Sequence, residues 1–381
     1  MKKLLALLLT MMLVVSTLAL VGCGNDAADD VADAVAEVEE AVEEAAEEAE
    51  EVAEEVAEEV EEVVDAVTGD LTLAIVTKSA GNPFMERMAS GFEEAGAVLG
   101  AEVVVQHPVD TTAEAQITVI NSLVAQGVDG IAIASNDPEA LESAIDAAKD
   151  EGIVVVTLDS DTAGSQLFVN QAGVFEVAQV LVDSVYDMAG PDAQFAVLSA
   201  TSVATNQNAW IAAMETIIED DAQYAGLDWV ATVFGDDEAQ RSFDETQSLL
   251  VNFPDLDVIV APTTVGILAA AQVVLQQDSD VLVAGLGLPS EMVGLVGDDL
   301  PTPYMYLWNP IELGEVAAYA LAAIVNGETT GAVGESFTAP NGNTFTVIEA
   351  APEVGIVNPQ IIVGLPFRFD GANIDEWAEV Y

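Results

Sequence analysis

From Leu71 onward, the chain alternates short runs of consecutive apolar residues with longer stretches of helical periodicity. The apolar runs are continuous, which is typical of strands buried on both faces of a parallel sheet. In the first half they cover residues 71–76, 102–105, 130–134 and 153–158. This pattern predicts repeated βα winding, and the winding pauses near Asn170 and then restarts. Because one sheet of about ten strands is uncommon, we predict two doubly wound parallel-sheet lobes.

The chain continues past the second winding, which predicts that it recrosses between the lobes. This tail contains an apolar run at 304–307, a helical stretch at 311–325 and a hairpin signal at Asn341-Gly342-Asn343. We therefore predict an N-terminal lobe of residues 70–170 and 287–327, and a C-terminal lobe of residues 171–286 and 328–381. A hinge of several chain segments should lie near Gln171, Gly287 and Gly327.

Residues 25–69 have a low-complexity composition of Ala, Val and Glu that cannot form a globular core. The segment contains 20 Asp or Glu and no Lys or Arg. Its valines are mostly three or four residues apart, which predicts a helix that would span roughly 65 Å if complete. A coiled coil is one alternative, although like charges flank a small apolar seam. We favour a solvated, partly helical acidic tether over residues 23–69.

The first 22 residues have the layout of a secretory signal, with Lys2 and Lys3 before an apolar run at 4–21. The run ends in Leu20-Val21-Gly22-Cys23, and Cys23 is the only cysteine of the chain. This end resembles the lipobox of bacterial lipoproteins, in which the cysteine is acylated and becomes the first residue after cleavage. An uncleaved membrane helix is the alternative, but it leaves the position of Cys23 unexplained. We therefore predict an extracytoplasmic protein, lipid-anchored to the cell membrane through Cys23.

The charge of the chain excludes several kinds of partner. Its 67 Asp and Glu face 7 Lys and Arg, which gives a formal net charge of −60. Nucleic-acid binding requires clustered cations, so we predict no nucleic-acid partner. One His and one Cys cannot build a His/Cys metal site, and we predict neither a metal nor a cofactor. Self-repulsion on this scale predicts that stability rises with salt.

Polar and aromatic side chains follow the predicted strands, where ligands bind in parallel α/β sheets. The candidate ligand-binding residues at these positions are Lys78, Asn82, Phe84, Asp159, Asn206, Gln207, Thr264, Trp308 and Asn309. Amides, a carboxylate, an ammonium group and aromatic faces suit a neutral polyhydroxylated ligand, whose apolar face stacks on an aromatic ring. No phosphate-binding loop is present. Trp210 is expected to pack inside its lobe.

Six ordered motifs resemble the type I periplasmic sugar-binding proteins of ABC importers. They are Asn82-Pro83-Phe84, Asp159-Ser160-Asp161, Phe168-Val169-Asn170-Gln171, the run 204–210, Pro262-Thr263-Thr264-Val265-Gly266 and Leu307-Trp308-Asn309-Pro310. The resemblance covers Asp70 to Tyr381 and is greatest to the rhamnose-binding and autoinducer-2-binding branch. It implies two lobes that close on a small ligand and present the closed form to a membrane permease.

The resemblance also implies roles for single residues. Lys78 matches a lysine that contacts the ligand, and Asp159 matches the carboxylate that accepts ligand hydroxyls. Pro262 matches a backbone-carbonyl contact to the ligand.

Residues of the second lobe indicate which ligand the resemblance implies. Asn206 and Gln207 match an adjacent ligand-binding pair, and Thr264 matches a neighbouring pocket residue. In the autoinducer-2 receptors, aspartate occupies the position of Asn206, and alanine usually occupies the position of Thr264. We therefore expect a rhamnose-like deoxyhexose and keep autoinducer-2 as the alternative ligand.

An enzyme and a signalling receptor are the competing functions. The chain has no Gly-x-Ser-x-Gly nucleophile elbow and few acids at predicted strand ends, so we predict that it is not an enzyme. A receptor that signals through a membrane kinase or chemoreceptor would read the same closed shape as a permease. We expect a monomer whose partners are a sugar and an ABC transporter permease.

Overall fold

The computed structural model describes residues 71–381, which lie within one compact unit, Asp70–Tyr381. The predicted signal sequence, Cys23 and the acidic tether lie outside the described residues. In the described range, no helix is long and apolar enough to cross a membrane. The chain forms two parallel sheets with helices on their faces, so the predicted two-lobed α/β fold is confirmed.

The first sheet has six parallel strands in the order β13-β5-β4-β3-β1-β2. Its strands are β1 (Thr72–Val76), β2 (Glu102–Gln106), β3 (Gly130–Ile133), β4 (Val154–Leu158), β5 (Phe168–Ala172) and β13 (Gln360–Gly364). Its helices are α1 (Pro83–Leu99), α2 (Ala113–Gln126), α3 (Glu142–Asp150) and α9 (Pro310–Val325). A hairpin of β11 (Ser336–Thr338) and β12 (Thr344–Thr346) precedes β13.

Both faces of the central strands of this sheet are buried, which explains why β1 and β3 consist almost entirely of apolar residues. Ile75 of β1 shares a hydrophobic core with Phe92 of α1 on one face, and the next residue, Val76, shares another with Ile120 of α2. Successive side chains of a strand point to opposite faces, so neither face can be polar. Burial of each such side chain contributes about 1.5–3 kcal/mol.

The second sheet has four parallel strands in the order β7-β6-β8-β9. They are β6 (Gln194–Ser199), β7 (Asp228–Phe234), β8 (Val258–Ala261) and β9 (Leu282–Gly285), and the helices are α4 (Val174–Ala189), α5 (Thr205–Asp220), α6 (Ala239–Asn252) and α7 (Thr264–Gln276). A bridge between Leu286 and Tyr306 connects the end of β9 to β10 (Tyr304–Leu307), which pairs antiparallel with β14 (Phe367–Asp370). Short helices α8 (Pro289–Met292) and α10 (Ile374–Trp377) complete this lobe.

The chain passes between the two lobes three times, and two of the predicted crossings are wrong. The first crossing, at Gly173 between β5 and α4, lies beside the predicted Gln171. The second lies at 308–309 instead of at Gly287, because β10 continues the second sheet.

The third crossing lies at 365–366 instead of at Gly327. Strand β13 pairs with β5 in the first sheet, so it belongs to the N-terminal lobe and not to the C-terminal lobe as predicted. Only β14 and α10 return to the C-terminal lobe.

The N-terminal lobe is held together by a close contact between α1 and α9. A Cβ atom added at Gly314 of α9 would lie 1.9 Å from the Met88 carbonyl oxygen of α1. Glycine is therefore required at this contact, because a side chain would push the two helices apart. The contact fixes the start of α9, and with it Trp308 at the preceding crossing.

Candidate functional site

A cleft between the carboxyl ends of the two sheets brings together nine of the ten predicted ligand residues. Those that line it are Lys78, Asn82, Phe84, Asp159, Asn206, Gln207, Pro262, Thr264 and Trp308. The cleft contains about 350 Å³ of space that no protein atom occupies, and part of this space is open to solvent.

Two of the residues that line the cleft form a buried ion pair. Lys78 Nζ lies 2.7 Å from Asp159 Oδ2, and the two residues are only 7% and 3% exposed. Ser160 Oγ donates a further hydrogen bond of 3.0 Å to Asp159 Oδ2. A buried charge is tolerated only when it is paired and hydrogen-bonded, and both conditions are met here.

Asn206 joins this ion pair from the other lobe. Its Nδ2 donates to Asp159 Oδ2 at 3.3 Å, and its Oδ1 accepts from Lys78 Nζ at 3.4 Å. We call Lys78, Asp159 and Asn206 the polar triangle. An amide is suited to this position because it has a donor for the carboxylate and an acceptor for the ammonium group.

Strand ends and a helix start position the polar triangle. Lys78 lies two residues beyond β1, Asp159 directly follows β4, and Asn206 lies in the first turn of α5. Asp159 has a φ of 62°, in the left-handed region that residues other than glycine seldom adopt. Such conformations cost about 1–3 kcal/mol and are concentrated at functional sites.

Two buried polar atoms of the cleft have no hydrogen-bond partner among residues 71–381. They are Gln207 Oε1 and Trp308 Nε1, an acceptor on the C-terminal lobe and a donor at the second crossing. Gln207 Nε2 makes a long contact of 3.5 Å to the Pro262 carbonyl oxygen. Each unpaired buried group costs about 1–3 kcal/mol, and a ligand with hydroxyl groups can satisfy both a donor and an acceptor.

The cleft is also lined by an apolar wall that is largely aromatic. Phe84 and Trp308 meet edge to face with ring centroids 6.2 Å apart, and the centroids of Trp210 and Trp308 are 5.6 Å apart. Trp210 was expected to pack inside its lobe; it is buried and it also lines the cleft. Met85, Leu286 and Leu307 extend this apolar wall.

Asn309, the tenth predicted ligand residue, is not among the residues that line the cleft. Its Oδ1 accepts from the backbone N–H groups of Ile311 and Glu312 at 3.0 and 3.3 Å, so Asn309 caps α9. Asn82 caps α1 in the same way and nevertheless lines the cleft. Asn309 is therefore a capping residue that directly follows a cleft residue, Trp308.

Asp237 lines the cleft but was not identified from the sequence, whereas Thr263, which also lines it, belongs to the motif Pro262-Thr263-Thr264-Val265-Gly266. Asp237 lies three residues beyond β7, and its carboxylate accepts a hydrogen bond from Thr263 Oγ1. Burial raises the pKa of Asp237 above its usual range. The position of Asp237 after a strand was a usable signal, but the acidic run Asp236-Asp237-Glu238 looks like a solvated loop.

The cleft carries no metal-site chemistry in the described residues. No group of three His, Cys, Asp or Glu side chains between residues 71 and 381 could hold a metal ion. The groups that converge on the cleft are hydrogen-bonding groups and aromatic faces, which bind a neutral polar molecule.

Two parallel-sheet lobes, three chain crossings and one shared polar cleft define a bilobal solute-binding protein. Residues 73–329 match the periplasmic binding protein domain, and the chain belongs to this family. It is accordingly an extracytoplasmic sugar-binding protein of an ABC transporter and not an enzyme, which confirms the resemblance of the sequence motifs.

Individual relatives differ in how similar they are to this chain. An ABC transporter solute-binding protein from Clostridium phytofermentas with bound L-rhamnose has 47% identity and a TM-score of 0.79, covering 82% of this chain and 99% of that one. LsrB from Clostridium saccharobutylicum in complex with AI-2 has 22% identity and a TM-score of 0.73, covering 80% and 99%. The ribose import binding protein RbsB of Bacillus subtilis (strain 168) is 21% identical over 260 residues, 68% of this chain and 83% of the relative.

Proposed function

We propose that this protein captures a rhamnose-like deoxyhexose outside the cytoplasm and delivers it to the permease of an ABC transporter. The observation that carries the proposal is the mixed lining of the cleft, which combines the polar triangle with the apolar wall. The relative that binds L-rhamnose supports it, because its identity of 47% extends over both lobes.

The charges of the cleft favour a neutral ligand. Lys78 is already paired with Asp159, and Asp237 adds a second carboxylate. An anionic sugar would therefore meet one uncompensated negative charge and no available cation. Hydroxyl groups can donate to these carboxylates, and such charge-assisted bonds are worth about 1.5–3 kcal/mol each.

The apolar wall favours a deoxy sugar over its hydroxymethyl counterpart. Met85, Leu286 and Leu307 offer carbon surface against which a methyl group gains about 0.8 kcal/mol. A hydroxyl at the same position would be buried without a partner, which costs more than the methyl group gains.

The polar triangle also bears on autoinducer-2 as the alternative ligand. LsrB supports that alternative through its fold alone. A carboxylate at position 206, which the autoinducer-2 receptors carry, could not donate to Asp159 and would repel it. Asn206 instead bonds to both members of the ion pair, which supports a sugar as the ligand.

Ligand binding would stabilise the closed arrangement of the two lobes. Asp159 and Lys78 come from the N-terminal lobe, whereas Asn206 and Gln207 come from the C-terminal lobe. A ligand that contacts both lobes binds the closed state more tightly than the open one, and this difference shifts the population. The permease would then receive the closed, loaded form.

The anchor is part of the same proposal. We infer that Cys23 is acylated and that residues 24–69 tether a monomeric body to the membrane, so that captured sugar stays near the permease. Labelling cells with a radioactive fatty acid tests this. The chain should carry the label, the Cys23→Ser variant should not, and an unlabelled parent chain would contradict the lipid anchor.

Isothermal titration calorimetry of the mature chain in high salt tests the ligand. The panel is L-rhamnose, L-mannose as the hydroxymethyl counterpart, D-ribose, L-rhamnonate as an anionic analogue, and autoinducer-2. We expect L-rhamnose to bind most tightly and L-rhamnonate not to bind. Tighter binding of autoinducer-2, or of L-mannose, would contradict the proposal.

A further inference from the structure

Asp237 lies where the cleft meets a second space between the lobes. This neighbouring space has a volume of about 270 Å³ that includes open solvent, and it is lined by Ser135 and Asn136 of the N-terminal lobe and Thr201 of the C-terminal lobe. Lys78, Gln207 and Asp237 line both spaces. The carboxylate of Asp237 therefore lies where the two spaces meet.

The carboxylate of Asp237 has unused capacity to accept hydrogen bonds. Thr263 Oγ1 donates to its Oδ1, and no other hydrogen bond from residues 71–381 reaches either oxygen. An ionised carboxylate has about four acceptor positions, so most of them are open to a ligand. Gln207, which is only 6% exposed and lines the same two spaces, has the unpartnered acceptor Oε1.

The loop that carries Asp237 differs from an ordinary acidic surface loop. Asp236 and Asp237 both have a φ of 55°, in the left-handed region that residues other than glycine normally visit singly. Asp236 pairs with Arg241 on the exposed side, whereas Asp237 is held in the cleft by Thr263. The two neighbouring aspartates thus have the same backbone conformation but different surroundings.

The charges that face Asp237 come from both lobes. Lys78 attracts its carboxylate, and Asp159 and Asp236 repel it. Burial is the largest cause of its raised pKa, so removal from water already disfavours the ionised form. A donor from a ligand hydroxyl would stabilise the ionised form and so lower that pKa on binding.

We propose that Asp237 is a second ligand-recognising carboxylate, which accepts a hydrogen bond from a sugar hydroxyl that Asp159 does not engage and thereby determines which stereoisomer binds. The inference rests on the proposed function, because it requires a sugar in the cleft. Asp159 then recognises the sugar from the N-terminal lobe and Asp237 recognises it from the C-terminal lobe. An epimer that turns one hydroxyl away loses one of these two bonds.

The test compares Asp237→Asn with Asp236→Asn by calorimetry, using L-rhamnose and its monodeoxy analogues. Asn tolerates the left-handed region and keeps an oxygen for Thr263, so the fold should be retained. We expect D237N to weaken L-rhamnose binding about 10- to 150-fold, the range of a hydrogen bond to a charged group. D236N should change it less than about twofold, as for an exposed pair.

The monodeoxy analogues identify the hydroxyl concerned. One analogue should bind the parent protein and D237N equally weakly, because the bond it lacks is the bond that the substitution removes. A different analogue should behave in this way with Asp159→Asn. If one and the same analogue binds D237N and D159N with the affinity that it has for the parent protein, the inference is overturned.

The pH profile is the second readout. L-rhamnose affinity should fall in the parent as pH falls through the raised pKa of Asp237, and D237N should lose this dependence. If the parent binds no sugar of the panel, the proposed function fails and the inference fails with it. If the parent binds L-rhamnose and D237N matches its affinity and pH profile, only the inference is overturned.

Discussion

Asn206 Nδ2 lies 3.3 Å from Asp159 Oδ2, so a hydrogen bond links the C-terminal and N-terminal lobes inside the cleft. The same amide accepts from Lys78, and the three groups together leave no unpaired charge in the polar triangle. This arrangement makes the identity of residue 206 critical for closure as well as for ligand contact.

We expect Asn206→Asp to weaken sugar binding by about 1.5–3 kcal/mol, because it replaces a donor to Asp159 by a like charge. Calorimetry measures the affinity, and small-angle X-ray scattering with and without sugar reports whether the lobes still close. Asn208→Asp is the matched control, since Asn208 points to Ser202 outside the cleft. Equal affinities for N206D and N208D would contradict the role of the polar triangle.

Trp308 should report ligand binding by its fluorescence. The chain has four tryptophans, of which Trp210 and Trp308 line the cleft. Trp308→Phe should remove most of the sugar-induced change in emission and cost about 0.5–1.5 kcal/mol of affinity, because the Nε1 donor is lost while an aromatic face remains. Trp229→Phe, in a strand outside the cleft lining, should leave both the emission change and the affinity unaltered. If Trp229→Phe reduces them and Trp308→Phe does not, Trp308 does not contact the ligand.

A comparison of Asn309 with Asn82 distinguishes the effect of helix capping from the effect of ligand contact. Both cap a helix, but only Asn82 lines the cleft. Each change to Ala should lower the free energy of unfolding by about 0.5–2 kcal/mol in urea titrations. Sugar affinity should fall for Asn82→Ala and stay within about twofold for Asn309→Ala, because only the first removes a cleft group. Loss of affinity in the second variant would restore Asn309 to the site.

Asp161 ties the segment before β13 to the end of β4. Its Oδ2 accepts from the backbone N–H groups of Val357 and Asn358 at 2.8 and 3.1 Å. Its Oδ1 accepts from the side chains of Asn358 and Thr157 at 2.6 and 2.9 Å. Asp161→Asn keeps only one carbonyl oxygen. Either the two backbone N–H donors or the two side-chain donors therefore lose their acceptor.

The expected cost of Asp161→Asn is about 1–3 kcal/mol for each buried donor left unpaired, measured by urea unfolding. Asp150→Asn, at an exposed helix end, should change stability by less than about 0.5 kcal/mol. Equal midpoints for the two variants would show that Asp161 does not stabilise this junction.

Salt should stabilise the folded protein. Residues 70–381 hold 47 Asp or Glu against 5 Lys or Arg, so compaction brings like charges together. We expect the melting temperature to rise steeply up to about 1 M KCl, where the Debye length is about 3 Å, and then to level off. A continued rise would indicate exclusion of salt from the surface instead of screening, and a constant melting temperature would contradict the prediction.

Elements set by local sequence were predicted almost to the residue. Strands β1, β3, β4 and β10 match their predicted apolar runs to within one residue. Helix α1 runs from Pro83 to Leu99 because Asn82 caps its start and Gly100 ends it with a φ of 68°. In these segments the signals that define the element, which are its hydrophobic pattern and the residues that begin and end it, are all local in sequence.

Elements set by long-range pairing were not predictable in the same way. Strand β5 was missed because its sequence, Phe168-Val169-Asn170-Gln171-Ala172, mixes buried amides into an apolar run. Asn170 is stabilised there by a bond of 2.9 Å to Gln360, which is 190 residues away in sequence. The third crossing depends on the pairing of β13 with β5, and the second depends on the bridge between Leu286 and Tyr306; no local signal marks either pairing.

The site was predicted where side chains follow strands and was missed where local sequence gave a competing explanation. Lys78 and Asp159 were found from their positions at strand ends. Asp237 was hidden in an acidic run, and Trp210 was read as a packing residue although it also lines the cleft. A sequence pattern can indicate that a residue is buried, but it does not show whether the same residue also lines a ligand site.

The polar triangle joins the two lobes through side chains that also line the ligand cleft. A substitution at Asn206 that alters sugar preference therefore also alters a bond between the lobes. Ligand selectivity and lobe closure cannot be changed independently at this residue.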